Sequence, residues 1–181
     1  MKYIIIEVDM TGIFTEENGK YRIDCSNAIW ATDEVHKDYQ NAGLHINDTD
    51  FLIENESCIL MIEYKNANIA SAVRPEAFNP TEDNKISNVT RKFYDSLHYL
   101  KLKNKTKTVQ YVYILEYPNG DTVTRKRIRN KLKKELPFAL QDNIGDGIKL
   151  IDKVDVVSIE EWNENKDYGK YPISPVNKDE F

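Results

Sequence analysis

Asp50, Glu63 and Lys65 are two carboxylates and an ammonium grouped around a short apolar segment. Charges in such a setting are costly unless something compensates them, because burial strips their hydration. A divalent cation would compensate the two acids. Mg²⁺ takes oxygen ligands at about 2.0–2.1 Å and keeps several of its waters. Asp50, Glu63 and a backbone carbonyl near Tyr64 would therefore suffice as the protein's share. A lysine beside that ion could orient or deprotonate an attacking water, or stabilise charge developing on a phosphate.

The elements that must position these groups are legible around them. Phe51-Leu52-Ile53 and Cys58-Ile59-Leu60-Met61-Ile62 are short apolar runs flanking the polar Asn55-Glu56-Ser57. That pattern predicts a β-hairpin. The second run is apolar at odd and even positions alike, which predicts a central strand covered on both faces. Side chains alternate faces along a strand, so Glu63 and Lys65 share a face with Ile59 and Met61. An even loop, either Asn55-Glu56 or Glu54 to Ser57, sets Ile53 opposite Cys58 and Asp50 opposite Met61. Asp50 is then diagonal to Glu63 on one face. An odd loop would separate the acids, since a slip of one residue flips every side chain. The plainer alternative is an ordinary hairpin, with Asp50 capping a turn and Glu63 and Lys65 forming a solvated pair.

Asp50, twelve intervening residues and then Glu63-Tyr64-Lys65 resembles the D…(D/E)xK signature of the PD-(D/E)XK nuclease superfamily, which has the restriction-endonuclease-like fold. Thr49 precedes the acid where the signature has proline. The resemblance covers the hairpin closely and residues 28–117 as an order of elements. It implies metal-dependent hydrolysis of phosphodiester bonds in nucleic acid, DNA first. Asp50 and Glu63 would hold Mg²⁺ or Mn²⁺, and Lys65 would be the catalytic lysine. In the family a helix before the hairpin often adds an acid. Glu34 holds that position, with Glu16 and Glu17 behind it, although an exposed glutamate at a helix N-terminus accounts for Glu34 better. The helix after ExK packs near the site, which singles out Lys85 and Lys92. A double-strand cut by a single-site nuclease needs two copies, which is compatible with a homodimer. The alternative is a catalytically silent member of the fold that binds nucleic acid or protein.

The 181 residues suit one domain with a real core, and 40% apolar with 30% charged residues is ordinary globular usage. No run is long enough to span a membrane. Met1 to Val8 lacks the long apolar region of a signal peptide and is expected to be a strand. Cys25 and Cys58 form no metal pattern or disulfide framework, which points to a reducing, cytoplasmic setting. Net charge is −5, yet the stretch Lys101–Lys134 holds eleven lysines and arginines against Glu116 and Asp121, so it carries +9 and the remainder −14. Such polarisation could present a basic face to a phosphate backbone, or be a solvated loop and a charged helix.

Along the chain, Lys2–Val8 and Tyr21–Cys25 are expected as a hairpin joined by the turn-rich Thr11–Lys20. A helix is expected between Thr32 and Gly43. Asn66 to Asp83 reads as a long loop containing Arg74. Ile86, Val89, Phe93, Leu97 and Leu100 form one stripe of a helix over 84–101. Val109–Tyr117 is a strand, 124–140 a helix, and 148–159 a last strand. His36 and His45 match no ligand spacing. The expected architecture is α/β: a single domain over 1–166 with a mixed central sheet flanked by helices and an αβββαβ-type nuclease core. Residues 167–181 are expected as a loose C-terminal tail.

Overall fold

The computed structural model describes residues 12–68 and 75–176. The expected strand at Lys2–Val8 and the loop residue Arg74 lie outside them. In chain order the elements are β1 (Ile13–Thr15), β2 (Tyr21–Asp24), β3 (Trp30–Thr32), α1 (Val35–Asn41), β4 (Phe51–Glu54) and β5 (Ile59–Asn66). They continue with α2 (Asp83–Leu102), β6 (Val109–Glu116), α3 (Thr122–Glu135), α4 (Phe138–Ile144), β7 (Ile151–Val157), α5 (Ile159–Glu164) and β8 (Ile173–Pro175).

The mixed central sheet has the order β3-β4-β5-β6-β7. β3, β4 and β5 run antiparallel to their neighbours, and β5, β6 and β7 are parallel. Parallel neighbours need a crossover. α2 supplies the one from β5 to β6, and α3 with α4 the one from β6 to β7. As its two-faced apolar run implied, β5 is central and buried at every position except Lys65.

The two faces of this sheet are covered differently. Leu52, Ile59, Met61, Tyr111 and Tyr113 pack with Val35 and Tyr39 of α1, Phe93 of α2 and Ile128 and Leu132 of α3. Phe51, Ile53, Leu60, Ile62 and Tyr64 pack on the other side with Ile23, Ile173 and Trp162. That second layer is a small antiparallel sheet, β1-β2-β8, together with α5. Helices thus lie on both faces, but the second face carries only α5, beside a second sheet that was not expected. The short strands β1, β2 and β8 have too few residues to show an alternating pattern on their own. Residues 13–15, expected as part of a turn, are the strand that pairs with β2.

The C-terminal expectation is corrected as well. Tyr168, Tyr171 and Ile173 are buried, and β8 pairs with β2. Tyr168 stacks on Trp162 at 5.0 Å between ring centroids, and Trp162 Nε1 donates to the Tyr171 carbonyl at 2.7 Å. Asn163 receives the Ile173 amide and donates to its carbonyl, at 2.8 and 2.9 Å. The expected domain boundary at 166 therefore falls inside a packed layer. The expected helix 124–140 is also two helices. Leu136 is extended before Pro137, as the residue before a proline prefers, and α4 starts beyond it. Among the described residues, no helix is long and apolar enough to cross a membrane.

Candidate active site

The hairpin register brings the two predicted acids face to face. The ladder pairs Phe51 with Ile62, Leu52 with Met61, Ile53 with Leu60 and Glu54 with Ile59. The loop is even, four residues from Asn55 to Cys58, so the parity expectation holds while the register moves by two. Asn55 sets this choice: its side chain accepts from the Ser57 and Cys58 amides, each at 2.9 Å, and its backbone amide donates to the Cys58 carbonyl. Cys58 thereby joins the turn instead of pairing with Ile53. One step beyond Phe51–Ile62, Asp50 stands directly opposite Glu63 rather than diagonal to it.

Three elements hold the site. Asp50 Oδ2 accepts the Tyr64 backbone amide at 2.7 Å, which ties the head of β4 to the end of β5. Thr49 is buried, and both its amide and its hydroxyl meet Ser96 Oγ of α2, at 3.0 and 3.1 Å. One helical turn before Ser96, Lys92 Nζ donates to Glu63 Oε1 at 2.8 Å. α2 thus anchors the strand entry with one residue and reaches the acid with another.

Glu63 is only 6% exposed, and its Oε2 has no hydrogen-bond donor among the described residues. Burial and then the neighbouring Asp50 charge push the Glu63 carboxyl well above the ordinary carboxylate range. Burial also raises Asp50, against the opposing pull of Lys92 and the Tyr64 amide. Burial acts to lower Lys92, but Glu63 and Asp50 together outweigh it and the ammonium is raised. Lys92 therefore stays charged beside a pair of acids short of positive charge.

A cleft of about 460 Å³ opens onto Asp50 and Lys92, with Glu16, Glu17, Asp33, His36 and Asp48 also in its wall. Glu63 is not in the wall but touches two residues that are. Glu16 is already engaged: its carboxylate accepts the Asn18, Lys20 and Tyr21 amides across the β1–β2 turn. Glu17 is coupled to Asp50 through its charge. His36 Nδ1 meets Asp48 Oδ1 at 2.9 Å at the mouth. Glu34 lies outside the cleft, exposed and paired with Lys37 at 2.6 Å, as its plainer explanation had it.

Lys65 shares the strand face of Glu63 but is exposed, and it forms no ion pair with a described residue. Lys92 occupies the place beside the acids. Its signal was its phase on α2, three residues after buried Val89 and four before buried Ser96, which turns a cation toward the sheet. Of the three acids considered as additions to the site, Glu16 and Glu17 of the β1–β2 turn line the cleft and Glu34 does not.

The donor set fits a cation. Glu63 offers an oxygen without a donor, Asp50 a second carboxylate against it, and the surroundings are electronegative. The protein's share would be two carboxylates; no group of three or more histidine, cysteine or acidic residues suited to a metal occurs among the described residues. Mg²⁺ is commonly held in this way, with water and substrate phosphate completing its shell. Comparison with known proteins returned no match to a family model, a curated protein or a solved structure.

Proposed function

We propose that this protein is a metal-dependent nuclease of the restriction-endonuclease-like fold, hydrolysing phosphodiester bonds in nucleic acid, DNA first. The observation that carries it is the Asp50–Glu63 pair, Asp50 half-buried on the cleft and Glu63 buried at the end of a central strand with its Oε2 left without a donor among the described residues. Two desolvated acids held against each other destabilise a fold unless a cation joins them. Supporting it, the order α1-β4-β5-α2-β6 resembles that of the nuclease core, although two strands and not the expected three separate its helices.

Asp50 and Glu63 would hold Mg²⁺ or Mn²⁺, which would supply Lewis-acid activation of the phosphate and of the attacking water. The chain's own groups then have distinct parts. Lys92 holds Glu63 Oε1 and leaves Oε2 to the ion. The Tyr64 amide fixes Asp50 Oδ2. Lys65, two residues past Glu63 on the same face and open to solvent, is free to meet the scissile phosphate, where an ammonium offsets developing charge. Thr49–Ser96 keeps α2 in register with the strand.

The second reading is a catalytically silent member of the fold that binds nucleic acid or protein. The exposed Lys65, which has no ion pair with a described residue, favours it, as does Lys92, which partly balances the acids without a metal. Cleavage of plasmid and single-stranded DNA with Mg²⁺ or Mn²⁺ separates the two, with wild type beside Asp50→Asn and Lys65→Ala. Metal-dependent cutting by wild type, reduced at least about 10²-fold in both variants, supports the nuclease. Equal cutting by all three proteins places the activity elsewhere. No cutting by wild type, with Mn²⁺ still bound, supports the silent member.

A further inference from the structure

The lysines and arginines of this chain are not spent evenly. Lys105 and Lys107 are neutralised by Glu54, Lys92 by Glu63, Lys103 by Asp38 and Lys153 by Asp155. α3 differs. It carries seven cations, and its one acid is its last residue, Glu135. Arg125 is buried and held at both Nε and Nη2 by Glu161, and Lys131 meets Asp83. Lys126, Arg127, Arg129, Lys133 and Lys134 form no ion pair with a described residue. Helical phase places Lys126, Arg127, Lys133 and Lys134, all exposed, on the side away from the buried Ile128 and Leu132, with the half-buried Arg129 at its edge.

Like charges three and four residues apart destabilise a helix. α3 forms despite them because Ile128 and Leu132 are fully buried against the sheet. Its apolar stripe is therefore already used, which leaves nothing to insert into a lipid surface. Val123 is the only exposed large apolar residue on the helix, so the face also lacks the buried aromatic or aliphatic anchors of a protein–protein hot spot. It has no exposed aromatic on which an unpaired base could stack. A phosphate backbone needs none of these features. From residue 126 to residue 134 the row extends about 12 Å along the helix, close to the width of the B-DNA major groove.

We propose that the solvent face of α3 is a sequence-independent contact for the phosphate backbone of duplex nucleic acid. The proposal rests on the nuclease reading for its choice of polyanion. α2 presents Lys92 to the sheet and packs against α3, so the row and the cleft flank one helix.

The test is fluorescence anisotropy with a labelled 30-base-pair duplex of arbitrary sequence, in EDTA so that no cutting occurs. Five phosphate contacts predict a slope of log K against log salt of about −4.5, or a loss of several hundred-fold between 50 and 200 mM salt. Lys126→Gln, Arg127→Gln, Arg129→Gln, Lys133→Gln and Lys134→Gln together should remove most of that slope. Arg127→Lys with Arg129→Lys, which keeps the charge and the helix, should preserve it. Lys149→Gln, Lys166→Gln and Lys170→Gln together should leave it near the wild-type value. A second duplex of different sequence should bind equally, and a single strand of the same length no more tightly.

Undiminished duplex binding by the five-fold variant, no binding by wild type, or preference for phosphatidylserine vesicles over duplex would each overturn the proposal. Loss of binding in the fully charged Arg→Lys variant would overturn it too. The two readings fail separately. α3-dependent binding without cutting leaves this surface standing and removes the nuclease. Cutting with α3-independent binding does the reverse.

Discussion

The β4–β5 hairpin carries two buried glutamates, one at each end, and they are treated in opposite ways. Glu54 lies by the turn and is 8% exposed; Glu63 lies at the far end and is 6% exposed. Both Glu54 oxygens have a lysine, Lys105 at 2.6 Å and Lys107 at 3.1 Å. The Lys105 hydrogen bond outweighs burial, and the Glu54 carboxyl falls below its ordinary value. Among the described residues Glu63 has one lysine, one oxygen without a donor, and a second acid opposite it. Its carboxyl is driven up instead. Equal burial therefore says little about role. A saturated acid is a brace that closes the fold, and an acid left short of positive charge is, under the proposed function, where a cation would be held. The same contrast sets the lysine-rich loop before β6 apart from α3, since Lys105 and Lys107 are paired with Glu54.

The largest expected difference between the two ends is in activity. Glu63→Gln should lower metal-dependent DNA cleavage by about 10³-fold or more, whereas Glu54→Gln should keep it within about twofold once folded. Equal losses from the two changes would mean that both glutamates are structural. Metal linkage comes next. With Mg²⁺ at about 100 times its dissociation constant, wild type and Glu54→Gln should gain about 2.7 kcal/mol in denaturant melts, and Glu63→Gln should gain almost none. A gain that survives Glu63→Gln would put the ion elsewhere.

Metal-free stability at pH 8 should change with opposite sign at the two ends. Glu54→Gln weakens two charge-assisted hydrogen bonds and should cost about 1.5–3 kcal/mol. Glu63→Gln relieves the repulsion with Asp50 and should stabilise the protein by about 0.5–2 kcal/mol. Urea titrations of the two variants measure both.

The smallest effect is on pH dependence. A carboxyl raised in the folded state binds more protons folded than unfolded. The Glu63 and Asp50 pair therefore favours folding at acid pH, and this contribution is lost as pH rises from about 4 through the raised values. Glu54 is lowered, so its contribution is present above the ordinary value and disappears as pH falls through the lowered one. Metal-free wild type should lose stability from pH 5 to pH 8 by at most about 1.4 kcal/mol per pH unit per proton. Glu63→Gln should flatten that slope, and Glu54→Gln should leave it in place.

Much of this site could be read from the chain because its parts are local. The apolar run ending at Ile62, the alternation that puts Glu63 on the face of Met61, and the even loop that returns Asp50 to that face are all short-range. The two-residue shift in register was not legible, because it depends on whether Asn55 gathers Cys58 into the turn. The stripe of α2 was legible from Ile86 to Leu100, and with it the chance that Lys92 faces the sheet. What Lys92 meets there was not. The second sheet was missed because strands of three or four residues carry almost no pattern, and the segment around Tyr168 was misjudged because its few aromatics are buried by residues far away in sequence.

By itself, then, the sequence determined the hairpin, the parity that puts Asp50 and Glu63 on one face, the central place of β5 and the concentration of positive charge on α3. Each follows from periodicities of two or 3.6 residues, which are properties of the local backbone. Only the tertiary structure decided which lysine serves which acid: Lys105 and Lys107 for Glu54, Lys92 for Glu63, and no described acid for Lys65. The reason is physical. Ion pairing depends on where side chains distant in sequence are brought together by packing, and the identical chemistry of lysines along a chain leaves no mark of which of them will arrive.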